Sequence, residues 1–374
     1  MSQSRAAGSP PPAATPVATP APDTPARTSR RSTGSVTLDD VAKLAGVSPI
    51  TVSRVLNRPH QVNQQTREIV QRAVEQTGYV PNLLAGGLAS RRSRLVAAIV
   101  PSLDNSFFTP TFEALNDRLT EAGYQVLLGL SGYDSAHHTP VVAGRSAMAR
   151  EEALLDTVLS RRPDAICLTG VLHSEQTRRK LLAAKIPVVE TWDLTDDPID
   201  MVVGFSHERI GQAIGQYLLD KGYRRFGLIW ANDERADRRK KGLLGVLRQA
   251  DIREVPAVML PAPSTFGAGR AALRNFLDEH PRPQVIVCSS DATAHGAMAE
   301  ALSRGWSIPG DLAVMGFADL EFAASAWPAL STISVDRRGI GRLAAESLLA
   351  RLEGRPPDAA SLDIGFRLIE RAST

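Results

Sequence analysis

Cysteine is nearly missing from this 374-residue chain, which has only Cys167 in AICLTG and Cys288 in VIVCSS. Each lies in an apolar run that reads as a buried strand. A disulfide framework is therefore not expected, nor a thiolate metal site, and a reducing compartment is the natural setting. The seven histidines are scattered. Neither His137 with His138 nor His173 has partners at metal-ligand spacing, so no metal and no cofactor is expected. No run of about 18 apolar residues offers a membrane span, and the first residues lack the apolar core of a secretory signal. A cytoplasmic protein with no membrane partner is expected. The loops G-x-G-x-x-G and G-x-x-x-x-G-K-[ST] are absent, as is G-x-S-x-G, and no acid–base pair stands out; this argues against an enzyme.

Charge of one sign is missing from one end. Residues 1–35 carry four Arg against one Asp, and residues 36–94 carry eight basic against four acidic side chains. The remaining 280 hold 31 basic and 35 acidic groups. A basic N-terminal end joined to a mildly acidic body suits a nucleic-acid reader attached to something else. Residues 1–35 are rich in Pro, Ala, Ser and Thr and too poor in bulky apolar groups to order themselves, so disorder is expected there.

The stretch TLDDVAKLAGVSPITVSRVLN, residues 37–57, predicts a helix-turn-helix. Thr37 stands at an N-cap with Asp40 three residues on, and Gly46 breaks the first helix. Ser48 caps the second, with Pro49 at its first position, where a missing N–H costs nothing. Val41, Ala42, Ala45, Val47, Val52, Val55 and Leu56 can share one small core. Pro49, Ile50, Thr51, Ser53 and Arg54 are left on the outer face, the arrangement of a helix laid in a major groove. A third helix, capped by Asn63 and stopped at Gly78, completes the unit. The plain alternative is a three-helix module with no nucleic-acid partner.

TLDDVAKLAGVSPITVSRVLN followed by VNQQTREIVQRAVEQTGYVPN resembles the headpiece of the lactose-repressor (LacI) family of bacterial transcription regulators. The likeness runs without a gap through Asn82 and in weaker form to about Arg371. IPVVETWD and DMVVGFSHE are closest to the gluconate-repressor branch. The resemblance implies DNA contacts from Thr37, Leu38, Ser48, Pro49, Ile50, Thr51, Ser53, Arg54, Asn57 and Asn82, and a roughly palindromic double-stranded operator met by a homodimer. Pro49 and Ile50 discriminate operators; neither side chain hydrogen-bonds, so Ile50 is left to meet a thymine methyl while Arg54 reads guanine or holds phosphate.

From Leu95 onward, apolar strands alternate with amphipathic helices twice over: LVAAIVPS to MVVGFS, then RFGLIWA to LAVMGFAD. The expected architecture is an all-α helix-turn-helix headpiece plus an α/β sensor of two doubly wound parallel-sheet subdomains, like type I periplasmic binding proteins. The divisions are a tail at 1–35, a headpiece at 36–81, a hinge at 82–94 and a sensor at 95–374. Within the sensor, 95–204 plus 336–360 form one subdomain and 205–335 plus 361–374 the other. Ligands bind past the carboxyl ends of such strands. That rule nominates Ser102, Asp104, Asn105, Trp192, Asp193, Phe205, Ser206, Asn232, Ser290, Asp291 and Asp319, and Phe107, two residues beyond Asn105, joins the candidates.

The resemblance adds Arg239 to that cleft and implies a small-molecule effector, a sugar or sugar acid. Ser290 stands where Asn is usual, Ala318 where the first of two Asp is usual, and Val335 where a polar residue occurs, which weakens the case for a neutral sugar. Arg239, Lys240 and Lys241 add positive charge suited to an anionic ligand, with two of the three readable as solvated helix charges. Effector binding would shift the population of cleft conformations and so the operator affinity, most simply as a repressor. Solute-binding proteins and sugar-acting α/β proteins remain alternatives.

Between the two halves lies NLLAGGLASRRS, which the resemblance makes a hinge helix whose Leu88 wedges into the minor groove. Gly86 and Gly87 cost that helix about 2 kcal/mol relative to Ala, so either it does not form here or its formation depends on DNA contact and dimer pairing, with phosphate contacts from Arg91, Arg92 and Arg94. The double substitution Gly86→Ala/Gly87→Ala should tighten operator binding and blunt the ligand response in gel-shift titrations; unchanged affinity argues against a folded hinge.

Overall fold

The computed structural model describes residues 36–80, 92–103, 107–132 and 147–374. The tail at 1–35, the linker with Asn82, Gly86, Gly87, Leu88 and Arg91, and the loop holding Asp104 and Asn105 fall outside these, as do His137 and His138. Contacts divide the chain into two units, 1–82 and 83–374.

In the first unit, helices α1 (Leu38–Ala45), α2 (Pro49–Asn57) and α3 (Gln64–Thr77) form where the caps direct. Thr37 and Asp40 make a reciprocal capping box, in which Asp40 Oδ2 accepts from the Thr37 amide at 2.9 Å. Gly46 ends α1 at φ +65°, a left-handed conformation that costs glycine nothing. Ser48 Oγ accepts from the Thr51 amide at 3.2 Å, and Asn63 Oδ1 from Thr66 at 2.8 Å. Val41, Ala42, Val52, Val55, Val70 and Ala73 are buried together, with Leu38, Ala45, Val47 and Leu56 partly buried around them.

The second unit begins with β1 (Leu95–Val100), α4 (Thr109–Glu121), β2 (Gln125–Leu130), α5 (Ala147–Ser160), β3 (Ala165–Thr169), α6 (Glu175–Ala184), β4 (Val188–Thr191) and β5 (Met201–Gly204). There follow α7 (His207–Asp220), β6 (Phe226–Ala231), α8 (Glu234–Gln249), β7 (Ala257–Leu260), α9 (Phe266–Glu279), β8 (Val285–Cys288), α10 (Asp291–Ser303), β9 (Ala313–Met315) and α11 (Glu321–Ser325). The chain closes with β10 (Thr332–Ser334), α12 (Arg337–Leu352), β11 (Ser361–Asp363) and β12 (Arg367–Ile369).

Two parallel sheets result, ordered β11-β5-β4-β3-β1-β2 and β7-β6-β8-β9, beside an antiparallel pair β10-β12. Continuous apolar runs such as β6 and β8 are buried on both faces, as parallel strands flanked by helices require. Residues 361–374 divide where the sequence placed them together: Leu362 pairs with Val203 in the first sheet, while Leu368 pairs with Ile333 beside the second. A three-residue edge strand carries too little pattern to show which sheet it extends. The chain thus passes between subdomains after β5, after β10 and after β11. Among the described residues no helix is long and apolar enough to cross a membrane.

Helices α7 and α8 touch backbone to backbone through a reciprocal glycine contact. A Cβ on Gly211 would fall 1.9 Å from the Arg239 carbonyl oxygen, and one on Gly242 would fall 2.0 Å from that of Glu208. The contact seats α8 against α7 at main-chain distance, and the turn of α8 just before Gly242 carries Arg239. Gly242→Ala must therefore part the helices; a loss of about 3 kcal/mol in urea unfolding of the full chain is expected, with the headpiece transition unchanged.

Candidate DNA-reading face and ligand cleft

On the headpiece, Ser48, Pro49, Ile50 and Arg54 stand exposed on one side of α2, with Thr51 and Ser53 half-buried beside them. Ile50 is 65% exposed, as are Leu44 at 53% and Val80 at 80% in the same module, so it is its place on the outer face of α2 that makes it a candidate contact. Thr37 and Asn57 are exposed and Leu38 half-buried against the core. Asn57 donates to the Ser53 carbonyl at 2.9 Å, which fixes its amide along the helix.

In the sensor, the residues past the strands converge as the parallel-sheet rule requires. Trp192 after β4 and Ala318–Asp319 after β9 hold positive φ (72°, 112° and 51°), backbone strain placed at the cleft. Phe107 stacks on Trp192 with ring centroids 4.6 Å apart and lies 5.7 Å from Phe317, and Phe205 meets Trp192 edge-on. Arg239 enters this aromatic group from α8. Its guanidinium carbon sits 3.9 Å from the Phe317 ring centroid. One terminal nitrogen donates to the Ser289 carbonyl at 3.0 Å and the other to His207 Nδ1 at 2.9 Å. His207 Nε2 faces the Trp192 carbonyl at 2.9 Å, so that nitrogen carries the ring proton and Nδ1 accepts. Burial, and then the neighbouring guanidinium of Arg239, hold the His207 pKa well below its ordinary value. Burial brings Arg239 down to about 10.

Three polar atoms here lack a hydrogen-bond partner while being fully buried: Arg239 Nε, Trp192 Nε1 and Asp193 Oδ2. Asp193, whose pKa is raised by burial, sits with Oδ2 3.1 Å from the Arg238 guanidinium in an ion pair without hydrogen-bond geometry. Among the described residues no carboxylate lies within 4.0 Å of the Arg239 nitrogens, so its charge has no partner of opposite sign in contact. A pocket of about 60 Å³ adjoins it, lined by Phe107, Phe108, His207, Arg239, Ser289 and Ser290. A larger one of about 390 Å³ opens beside Ser131, Thr169, Leu172 and Asn232. Asp233 and Arg235 line both.

The sequence-nominated carboxylates behave differently from Arg239. Asp291 accepts from the Thr332 hydroxyl at 2.6 Å and the Leu320 amide at 2.7 Å, so one oxygen braces β10 and the other the loop after β9, and burial lifts its pKa to about 6. Asp319 pairs with Arg371 at 2.8 Å. Ser290 caps α10 through the Thr293 amide. Lys240 and Lys241 lie on the surface facing Asp237 and Glu208, as solvated helix charges do.

His207 and Phe317 went unnoticed in the sequence, although FSHE and MGFAD place each one residue from a nominated position. His173, which the sequence showed only to lack partners at metal-ligand spacing, has a buried side chain with Nδ1 2.7 Å from Glu151 and Nε2 3.5 Å from Glu190. Burial alone would lower its pKa, but the two carboxylates outweigh it and raise it to about 9.

A helix that reads DNA and a cleft that takes a small polar ligand together define a ligand-controlled transcription regulator. The profile of the lacI family of bacterial regulatory proteins matches residues 37–82, and that of a periplasmic binding protein-like domain matches residues 216–374. The HTH-type transcriptional regulator GntR of Pseudomonas aeruginosa is 37% identical over 346 residues, 92% of this chain and 97% of its own. GntR of Escherichia coli is 30% identical over 88% of this chain and 96% of its own. Among solved structures, a LacI-family regulator from Silicibacter pomeroyi superposes with a TM-score of 0.81 at 34% identity, covering 90% of this chain and 99% of that one. The lac repressor dimer bound to operator and the anti-inducer ONPF gives 0.76 at 25% identity, covering 91% and 99%. This chain belongs to the LacI family and is a DNA-binding transcription regulator with a ligand-binding sensor.

The raised His173 pKa has a consequence for stability. A folded pKa of about 9 against 6.5 unfolded means the stabilisation is complete below pH 6.5 and lost as pH rises through 9. Urea midpoints of the full chain should fall across that window by an amount equivalent to about 3 kcal/mol. His173→Gln should flatten the curve; an equally steep curve in the variant counts against the buried imidazolium.

Proposed function

We propose that this protein is a homodimeric repressor whose operator affinity is set by an anionic sugar derivative, a sugar acid of the gluconate type, held at Arg239. The observation that carries this is the buried guanidinium with no contacting carboxylate among the described residues. A desolvated charge of this kind is costly until paired, and its free Nε–H together with the Trp192 Nε1–H supplies donors for an oxyanion. Trp192, Phe205 and Phe317 give the apolar floor on which sugar carbons rest. Phe107 covers that floor in the present state, and Asp193 and Ser290 stand at its margins. The carboxylates of Asp291 and Asp319, engaged within the fold, serve to position the β9 loop in this reading. Asn105 follows from its place past β1 in the sequence alone and lies outside the described residues.

At the other end, two headpieces read a roughly palindromic operator in the cytoplasm, Ile50 contacting a thymine methyl and Arg54, Thr51, Ser53 and Ser48 holding phosphate and base edges. Ligand closure of the cleft changes the relative population of DNA-competent dimers and releases the operator.

Two measurements test this. Gluconate should raise the melting temperature of the wild type whereas glucose at equal concentration should not. Arg239→Ala should weaken gluconate binding by about a hundredfold while operator affinity in gel shifts stays within a few-fold; a variant that still responds to gluconate sinks the Arg239 assignment.

A further inference from the structure

Where the linker enters the sensor, residues 92–95 are fastened more firmly than a simple connection requires. Asp164, the residue before β3, receives three donors: the Ser93 amide at 2.9 Å, the Ser93 hydroxyl at 3.1 Å and the Arg94 amide at 2.9 Å. The Asp164 amide in turn donates to the Leu95 carbonyl at 2.7 Å. Arg94 sits at φ +56°, a left-handed conformation that a non-glycine residue holds only when its surroundings impose it. Its guanidinium lies 5.3 Å from the Tyr124 ring centroid, and its carbonyl accepts from Gln125 at 2.8 Å. Arg92 donates to the Leu352 carbonyl at the end of α12 at 2.8 Å.

Two features set this apart from an ordinary strand start. Charge-assisted bonds to two successive amides fix the direction of the chain, where one bond would fix only its position. Moreover, β1 and β3 pair in parallel, so both begin at this fastening and both end at the cleft. Pro101 after β1 and Thr169 to Val171 after β3 line the 390 Å³ pocket.

We propose that Asp164 is a positioning residue for operator binding: it fixes the sensor end of the linker, and operator affinity depends on it although it touches neither DNA nor ligand. With the fastening intact, residues 92–94 are ordered before DNA arrives. Without it, their ordering entropy is charged to the binding step, once per subunit. The local strain at Arg94 then relaxes into conformations that aim the linker elsewhere.

The test uses the full-length protein and a duplex selected by the wild type from random sequences. Affinity is measured by fluorescence anisotropy with the active fraction fixed by stoichiometric titration, so that a merely structural loss changes the fraction and not the dissociation constant. Asp164→Asn places an amide NH2 against amide donors; hydrogen exchange at Ser93 and Arg94 should accelerate, and operator affinity should fall about tenfold, with Asp164→Glu recovering part of the loss. If exchange accelerates while operator affinity stays within twofold of the wild type, the proposal is overturned. Should Asp164→Asn fail to fold, Ser93→Ala removes the hydroxyl's bond to Asp164, along with the one it accepts from the Leu95 amide at 3.3 Å, and leaves both amide bonds to Asp164 in place. It should then weaken operator binding about threefold, and unchanged affinity in that variant is equally fatal.

Discussion

The sensor is organised around one buried cation. Arg239 is held by a neutral histidine, a backbone carbonyl and an aromatic face, none of which carries a formal negative charge. Each neighbour has a second task. His207 joins Arg239 on the second subdomain to the Trp192 carbonyl on the first, so the guanidinium's position registers how the two sheets stand to one another. Ser289 presents its carbonyl at the end of β8 while its hydroxyl receives the Ala231 amide from β6 at 2.9 Å. Moving the guanidinium disturbs strand ends in both lobes, and any ligand that pairs with it acts on the same elements.

Most of the architecture was legible from the sequence because its signals are local. Caps such as Thr37, Ser48 and Asn63 act within three residues, and apolar runs such as VIVCSS state their burial directly. The order of strands and helices in the sensor follows from that alternation. What the sequence hid depends on distant partners. His207 meets Arg239 across 32 residues of chain, and nothing in FSHE shows which nitrogen is protonated. Asp291 occupies a position where a ligand residue is expected, yet Thr332, 41 residues on, takes one of its oxygens. The three residues of β11 bear no mark of the sheet they extend.

The same division separates the two halves of the site. The outer face of α2 is defined by helical periodicity alone, so Ile50 and Arg54 were identifiable as exposed before any tertiary contact was known. In the cleft, periodicity brings residues to the correct end of the sheet but does not say whether a polar group points inward or is consumed by the fold. The strand-end rule pointed to Asp291 and Asp319 and the family resemblance to Arg239; in the fold the two carboxylates have partners within the protein, while Arg239 contacts no carboxylate among the described residues.

The contact between Gly211 and Gly242 leaves the backbone around Arg239 no slack. A helix seated on its neighbour's main chain has little room to move closer to it for a smaller ligand. Divergence toward new effectors is thereby channelled into the side chains that project from this rigid rail, such as Arg235 and Asp233, and into the loops past the strands. Receptors sharing the rail would differ in taste while passing each ligand's pull on the guanidinium to the same strand ends in both lobes.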